Sequence, residues 1–302
     1  MVSELLQLSG LSFDRLQSFR LVAEAGGVTK AAKGDPAKQS LYSRQIRELE
    51  EFFGAELIRR RGRGISLTRA GENLHAIVRE NFAALSDFKA ACQGQPVEAA
   101  IGTGDSVIQW LLLPRLAEIR KRVPSVRFKF LNLTTGDAVK RLADGMIDFS
   151  IVRADAIARP LQATPLGIMG YSLFVPRGLA SSTGKMSDPK ILDDLPLATL
   201  EGEGSFRSAL AEIAAKHKVR VNIRIECSSF PLAARAVSKG DFAAILPAIA
   251  ASELQSLPAV EVQLGFLRRF DRKMCLASNP RTVSIRPILQ NVGTVLGQLC
   301  RF

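Results

Sequence analysis

The hydrophobic period of this chain changes once, at Gln93-Gly94-Gln95-Pro96, and that change constrains the fold more than any other feature. Upstream, apolar residues recur at helical spacing; downstream, short β-type runs alternate with helical patterns. VEAAIGT is followed by a helical pattern over 106–122, then by VRFKFLNL, a helix near 135–144 and MIDFSIV. This βαβαβ order requires crossover connections, and so a parallel sheet with helices on its faces. LQATPLGIMGYSLFVP adds strands. A second set follows: LPLATL, helix 205–217, VRVNIRIEC, helix 230–239, FAAILP and a helix after Pro247. VEVQLGF and KMCLASN supply return strands, and a helix over 287–299 closes the chain. The pattern predicts two similar α/β lobes, with the chain crossing near 161–166 and back near 259–266. The carboxyl ends of their strands would face a shared cleft.

Upstream, the informative stretch is 38–53, KQSLYSRQIRELEEFF. On a helix of 3.6 residues per turn, Gln39, Ser40, Ser43, Arg44 and Arg47 share one face. Leu41, Ile46, Leu49 and Phe53 point the other way, with Tyr42 and Phe52 at the flank. Arg and Gln can each make paired hydrogen bonds to base edges in a major groove. Taken alone, the stretch also fits a solvated surface helix; its surroundings decide otherwise. Before it come a helix over 14–25, with Leu16, Phe19, Val22 and Ala23 inward and Asp14 as its cap, and a short helix over 28–34. Asp35-Pro36 is a turn, or a cap followed by proline at the first helical position. After Gly54, AELIRRRGRGISLT reads as a hairpin whose tip carries Arg59, Arg60, Arg61 and Arg63, suited to phosphates or a minor groove. A solvated basic loop is the plainer alternative. From Thr68 a long helix runs to about residue 91. Its seam of Leu74, Val78, Leu85, Phe88 and Cys92, with Asn81 among them, suits a dimerising helix pair better than packing on its own domain.

Formal net charge is +12, which favours anionic partners. The excess is not concentrated at the helix-turn-helix pattern: residues 1–92 hold 14 Lys+Arg against 11 Asp+Glu, and the remainder 27 against 18. No apolar run approaches the roughly 18 residues of a membrane span, and MVSELLQLSG lacks the basic n-region of a secretory signal. The expected compartment is the cytoplasm, with no membrane partner. Cys92, Cys227, Cys275 and Cys300 are widely spaced and read as free thiols. The two histidines, His75 and His217, have no motif around them, and GTG at 102–104 lacks the rest of a dinucleotide loop. Neither an enzyme, a metal site nor a bound cofactor is indicated. A solute-binding protein would share the two lobes but not the helix-turn-helix.

The residues that carry a family likeness are Leu16-x-x-Phe19, Val22-Ala23-Glu24-Ala25-Gly26, Ala31-Ala32, Gln39, Ser43-Arg44-Gln45-Ile46, Leu49-Glu50, Gly54, Leu57, Arg60 and Leu67-Thr68-x-x-Gly71. Leu112-Leu113-Pro114, the VPSV around Pro124, and Leu142-x-x-Gly145-x-x-Asp148 extend it. In these the chain resembles the LysR-type transcriptional regulators over nearly its whole length. The resemblance implies a winged helix-turn-helix over 1–67, a linker and dimerisation helix over 68–95, and a two-lobed α/β sensor like a periplasmic binding protein over 96–302. Lobe I would take about 97–162 and 266–302, and lobe II about 163–265. Double-stranded DNA, a small-molecule effector and self-association as dimer or tetramer are the implied partners. Gln39, Ser40, Ser43 and Arg44 fall where such proteins touch bases and nearby backbone, and Arg60 and Arg63 where the wing meets DNA; Arg47 and Arg61 are added from the helix face and the tip. The family usually has Leu at Asp35, Pro at Ser40 and a capping Ser at Gly27. The implied effector loops contribute Thr103, Asp105 and Ser106; Glu203, Ser205 and Phe206; and Ser228 and Phe230. Hydroxyls at helix N-termini suit small anions. Asp105 opposes a carboxylate or pairs with a cationic group, and Arg153 restores anion binding; the alternative is that Asp105 caps a helix and Arg153 faces solvent.

Overall fold

The computed structural model describes residues 10–61, 64–181, 189–254 and 258–302. Two compact units emerge, Met1–Gly94 and Gln95–Phe302. In the first, α1 (Phe13–Ala25) is capped by Ser12, whose hydroxyl accepts from the Arg15 N–H, so Asp14 lies inside the first turn and is not the cap. There its negative charge complements the positive end of the helix. The second helix, α2 (Val28–Ala31), is shorter than the sequence pattern suggests. Next, α3 (Pro36–Phe53) starts as the Asp35-Pro36 pair dictates: the Asp35 carboxylate accepts from the N–H groups of Ala37 (2.9 Å) and Lys38 (3.3 Å). Strands β1 (Ile58–Arg61) and β2 (Gly64–Leu67) pair antiparallel as the wing, with Arg60 opposite Ile65. The unit ends with α4 (Arg69–Cys92), capped by Thr68.

Phe19, Val22, Ile46, Leu49 and Leu57 form the buried centre of this unit, with Tyr42 against it. The inner face of α3 is therefore Tyr42, Ile46 and Leu49. Leu41 is 37% exposed and Phe53 40%, against the sequence expectation. Adjacent helix positions differ by about 100°, so Tyr42 on the buried face turns Leu41 out. Several motif residues hold this frame together. The Glu50 carboxylate accepts from the N–H groups of Leu57 (2.8 Å) and Ile58 (3.2 Å), fixing the entry to the wing. A Cβ at Gly71 would stand 2.0 Å from the Leu57 carbonyl oxygen, so only glycine lets α4 approach so closely.

In the second unit, β3 (Val97–Thr103) leads into α5, which opens at Asp105–Val107, passes through a π turn at Ile108–Leu112 and continues as Leu113–Arg122. Then come β4 (Val126–Asn132), α6 (Thr135–Ala143), β5 (Phe149–Arg153), β6 (Gln162–Met169) and β7 (Tyr171–Pro176). They are followed by β8 (Leu197–Leu200), α7 (Ser205–His217), β9 (Ile223–Cys227), α8 (Phe230–Ser238) and β10 (Ala244–Pro247). The chain finishes with β11 (Ala259–Val262), β12 (Arg272–Ser278) and α9 (Ile288–Leu299). Lobe I is a five-stranded sheet in the order β4-β3-β5-β12-β6. Its β4, β3 and β5 are parallel, as the βαβαβ pattern requires, and β12 returns antiparallel between β5 and β6. Lobe II has β10-β7-β11 and the parallel pair β8-β9, linked by a bridge between Leu197 and Ala243.

The crossings differ from the sequence reading. All of β6 stays in the lobe I sheet, so the chain leaves lobe I at Gly170, not near 161–166. It returns at Asp271, after a 3-10 turn (Gly265–Phe270) packed in lobe II, not near 259–266. A strand built of exposed residues on one edge carries little hydrophobic pattern of its own, which is why β6 was not separable from β7 by periodicity.

Two buried features tie this unit. In lobe I, Arg286 pairs with Asp148 and donates to the Glu98 carbonyl (2.7 Å), while Asp148 also accepts from the Ala100 N–H (2.7 Å). Between the lobes, Trp110 of α5 is only 3% exposed and packs in the lobe II cluster with Phe174 and Ala234. Its indole N–H and the Gln109 amide both donate to one Glu253 carboxylate oxygen, each at 2.7 Å.

Candidate functional site

On α3, Ser40, Ser43, Arg44 and Arg47 are exposed together, while Gln39 is half-buried and accepts from the Thr29 hydroxyl at 3.4 Å. The Arg44 side chain is 70% exposed and its Nε lies 3.8 Å from Glu48, a carboxylate that already accepts from Arg15 at 2.5 Å. Arg44 is thus only loosely held. Arg47 and Arg61 make no ion pair among the described residues. On the wing, Arg59 pairs with Glu56 at 2.9 Å. Arg60 lies in β1, its side chain outside what is described, and Arg63 falls outside the described residues.

Along α4 the expected seam divides. Val78 is buried and Leu74 packs on the N-terminal core. Farther on, Leu85 is 49% exposed and Phe88 70%, joined by Ile77 and by Phe13 of α1. Asn81 turns its amide N–H back to the Ile77 carbonyl (2.7 Å). His75 packs edge-on to Phe19, a structural position.

Between the lobes lies a cavity of about 720 Å³. Thr103, Asp105, Ser106, Arg153, Ser205, Phe206, Ser228 and Phe230 all line it, as expected of them. Glu203 does not; it is exposed on the turn before α7. The Thr103 hydroxyl is fully buried and donates to the Ile151 carbonyl (2.5 Å), which leaves it only as an acceptor. Asp105 does not cap α5: Gly104 holds the cap position without a side-chain bond. Arg153 lines the cavity and pairs loosely with Asp155 at 3.6 Å. Sequence reading missed Asn132, Tyr171, Arg272 and Met274. Tyr171 and Arg272 sit on either side of the two crossings, and only correct placement of Gly170 and Asp271 could have found them.

Tyr171 joins Phe206, Phe230 and Phe270 in an aromatic group with ring centroids 4.7–5.9 Å apart. Burial pushes its phenol up to about 12, against the opposing pull of Arg272 and Arg153, so it stays a hydroxyl donor at neutral pH. An adjoining cavity of about 600 Å³ runs beside α7 and shares Arg153, Ser205 and Arg272 as its wall. Among the described residues no group of three or more His, Cys, Asp or Glu is placed to hold a metal ion. No helix among them is long and apolar enough to cross a membrane.

These two sites, an arginine-bearing helix face and an inter-lobe cavity, meet in one family. Residues 13–72 match the bacterial regulatory helix-turn-helix model of the lysR family, and residues 97–290 match the LysR substrate binding domain. The chain belongs to the LysR-type transcriptional regulators, which join a DNA-binding helix-turn-helix to an effector-binding domain. It is 26% identical over 302 residues to a "Probable nitrogen assimilation transcriptional activator" of Synechococcus elongatus, covering 96% of this chain and 94% of that protein. Full-length OxyR from Pseudomonas aeruginosa superposes with a TM-score of 0.67 at 16% identity, covering 96% and 95% of the two chains. Full-length CbnR, solved in complex with its target DNA, gives 0.51 at 21% identity over 94% and 99%.

Proposed function

We propose that this regulator reads DNA with Gln39, Ser40, Ser43, Arg44 and Arg47 in a major groove and steadies itself on phosphates with Arg60, Arg61 and Arg63. The observation that carries this reading is the division of α3: Tyr42, Ile46 and Leu49 face the core while the hydroxyls and arginines stand exposed on the other side. The exposed apolar face of Phe13, Ile77, Leu85 and Phe88 suits a second copy, giving a dimer or a tetramer built as a dimer of dimers, with the paired reading helices about one helical turn apart on DNA. A small molecule in the 720 Å³ cavity binds one arrangement of the assembly better than another and so shifts the spacing of its DNA-binding pairs. The chain works in the cytoplasm, with its DNA, and not as an enzyme.

Footprinting of the full chain on its own upstream intergenic DNA tests this. Protection of a dyad-symmetric stretch of tens of base pairs, lost in Arg44→Ala at a salt where the parent still protects, is the expected result. Uniform, salt-labile coverage with no preferred sequence would sink it.

A further inference from the structure

Resting on the reading of the inter-lobe cavity as the effector site, we propose that the effector is a small amino acid. Its ammonium group is held at Asp105 and its carboxylate at the corner formed by Arg153, Arg272 and Tyr171. The charge balance of the cavity points there. Its charged lining consists of Asp105, Asp137, Arg153 and Arg272, so its formal charge is zero. The surrounding region is not neutral: residues 93–302 hold 27 Lys+Arg against 18 Asp+Glu. A plain carboxylate is repelled by Asp105 and a plain amine by the arginines, whereas a zwitterion satisfies both.

The two acids differ in what they already do. Asp137 is occupied: its carboxylate accepts from the Thr134 hydroxyl (2.8 Å), and its own N–H donates back to that hydroxyl (3.2 Å). Asp105 is half-buried and makes no hydrogen bond or ion pair among the described residues. A part-buried carboxylate without a partner is costly, and a ligand ammonium completes it. The register pairs Thr103 with Ile151, so Asp105 and Arg153, each two residues on, leave neighbouring strand ends of lobe I. Arg272 is braced through Nη1 by the carbonyls of Arg269 (3.2 Å) and Asp271 (3.0 Å), and its other nitrogens have no partner among the described residues. Arg153, Arg272 and Tyr171 all line the cavity, and Arg153 stands opposite Met274 on β12, two residues along that strand from Arg272. Phe206, Phe230 and Met274 supply the apolar wall for the ligand's side chain.

The test titrates the full chain with the standard L-amino acids and simple ω-amino acids, and with the deaminated acid and decarboxylated amine of each. Binding is read by thermal shift and by the fluorescence of Trp110, the single tryptophan, which lies on the same helix as Asp105. At least one amino acid should bind, with its acid and amine counterparts weaker by about tenfold or more. In Asp105→Asn the preference over the deaminated acid should disappear while the melting temperature of the free chain holds, since that carboxylate has no internal partner to lose. An acid without an amine binding as tightly, or an undiminished preference in Asp105→Asn, overturns the amino-acid assignment and leaves the cavity reading standing. Binding that persists in both Ser228→Trp, which fills the cavity, and Arg153→Ala overturns the cavity reading itself. If no amino acid binds, the assignment falls, and binding of the acids or amines decides whether the cavity reading falls with it.

Discussion

The outward face of α3 and the walls of the sensor cavity both present arginine and serine, but they keep different company. On α3, Arg44 has only a distant claim on Glu48, and Arg47 has no acid at all among the described residues. In the cavity, two arginines meet two aspartates within one enclosure. An open surface of one sign suits a polyanion, whose affinity grows with each phosphate neutralised. An enclosure of both signs rejects a polyanion and selects a ligand that carries both charges. A third setting sets the scale for these two: Arg286 and Asp148 are buried in lobe I and bonded to each other and to backbone groups, away from either surface.

The largest effect should come from the buried pair. Arg286→Ala leaves Asp148 buried and uncompensated and should cost about 3–5 kcal/mol in denaturant unfolding. Arg153→Ala, whose partner Asp155 is 75% exposed, should stay within about 0.5 kcal/mol of the parent. Equal costs for the two would erase the distinction between structural and ligand-facing arginines. Next, Arg44→Ala should weaken the specific operator by about 1–3 kcal/mol and random DNA much less, measured by competition binding. Loss on both DNAs alike would move Arg44 to the phosphate contacts. A smaller change is expected from Arg61→Ala: binding should weaken on every sequence, and the slope of log affinity against log salt should shallow by about one.

The smallest effect concerns the thiols. Burial raises Cys227, Cys275 and Cys300, the last to about 11, while Cys92 is exposed at the end of α4. Native chain should therefore give one fast-reacting thiol, Cys92, with a mild disulfide reagent. The stability contribution of Cys300 is fully present below its ordinary value of 9.0 and is lost as pH rises from there through 11, because the unfolded thiol ionises first. Tyr171 adds a loss in the same direction between 10.0 and about 12. Unfolding free energy should therefore decline above about pH 9 through these groups; a rise there would contradict their burial.

Elements were more legible in the sequence than the site. Helix α7 falls on the residues its pattern indicates, and Asp35-Pro36 announces the start of α3, because caps and periodicity are local. On α3 the inward face is legible at Ile46 and Leu49 but not at Leu41, since Leu41 and Tyr42 are both apolar enough to face a core and only packing decides. Family markers such as Glu50 and Gly71 prove to be fasteners of the fold, a role invisible until the Leu57 backbone is seen beside them. In the cavity, residues at strand and helix ends were found, because such ends have sequence signals. Tyr171 and Arg272 were not, because they enter by the crossings. The Gln109 and Trp110 bonds to Glu253 join residues 144 and 143 positions apart and carry no local signal.

That bond has a consequence for how the sensor comes apart. Because a lobe I helix leaves its tryptophan in the lobe II core, neither lobe has a complete interior without the other. Heat or denaturant should melt the two in a single cooperative step, and a fragment cut at Gly170 should yield no independently folded half.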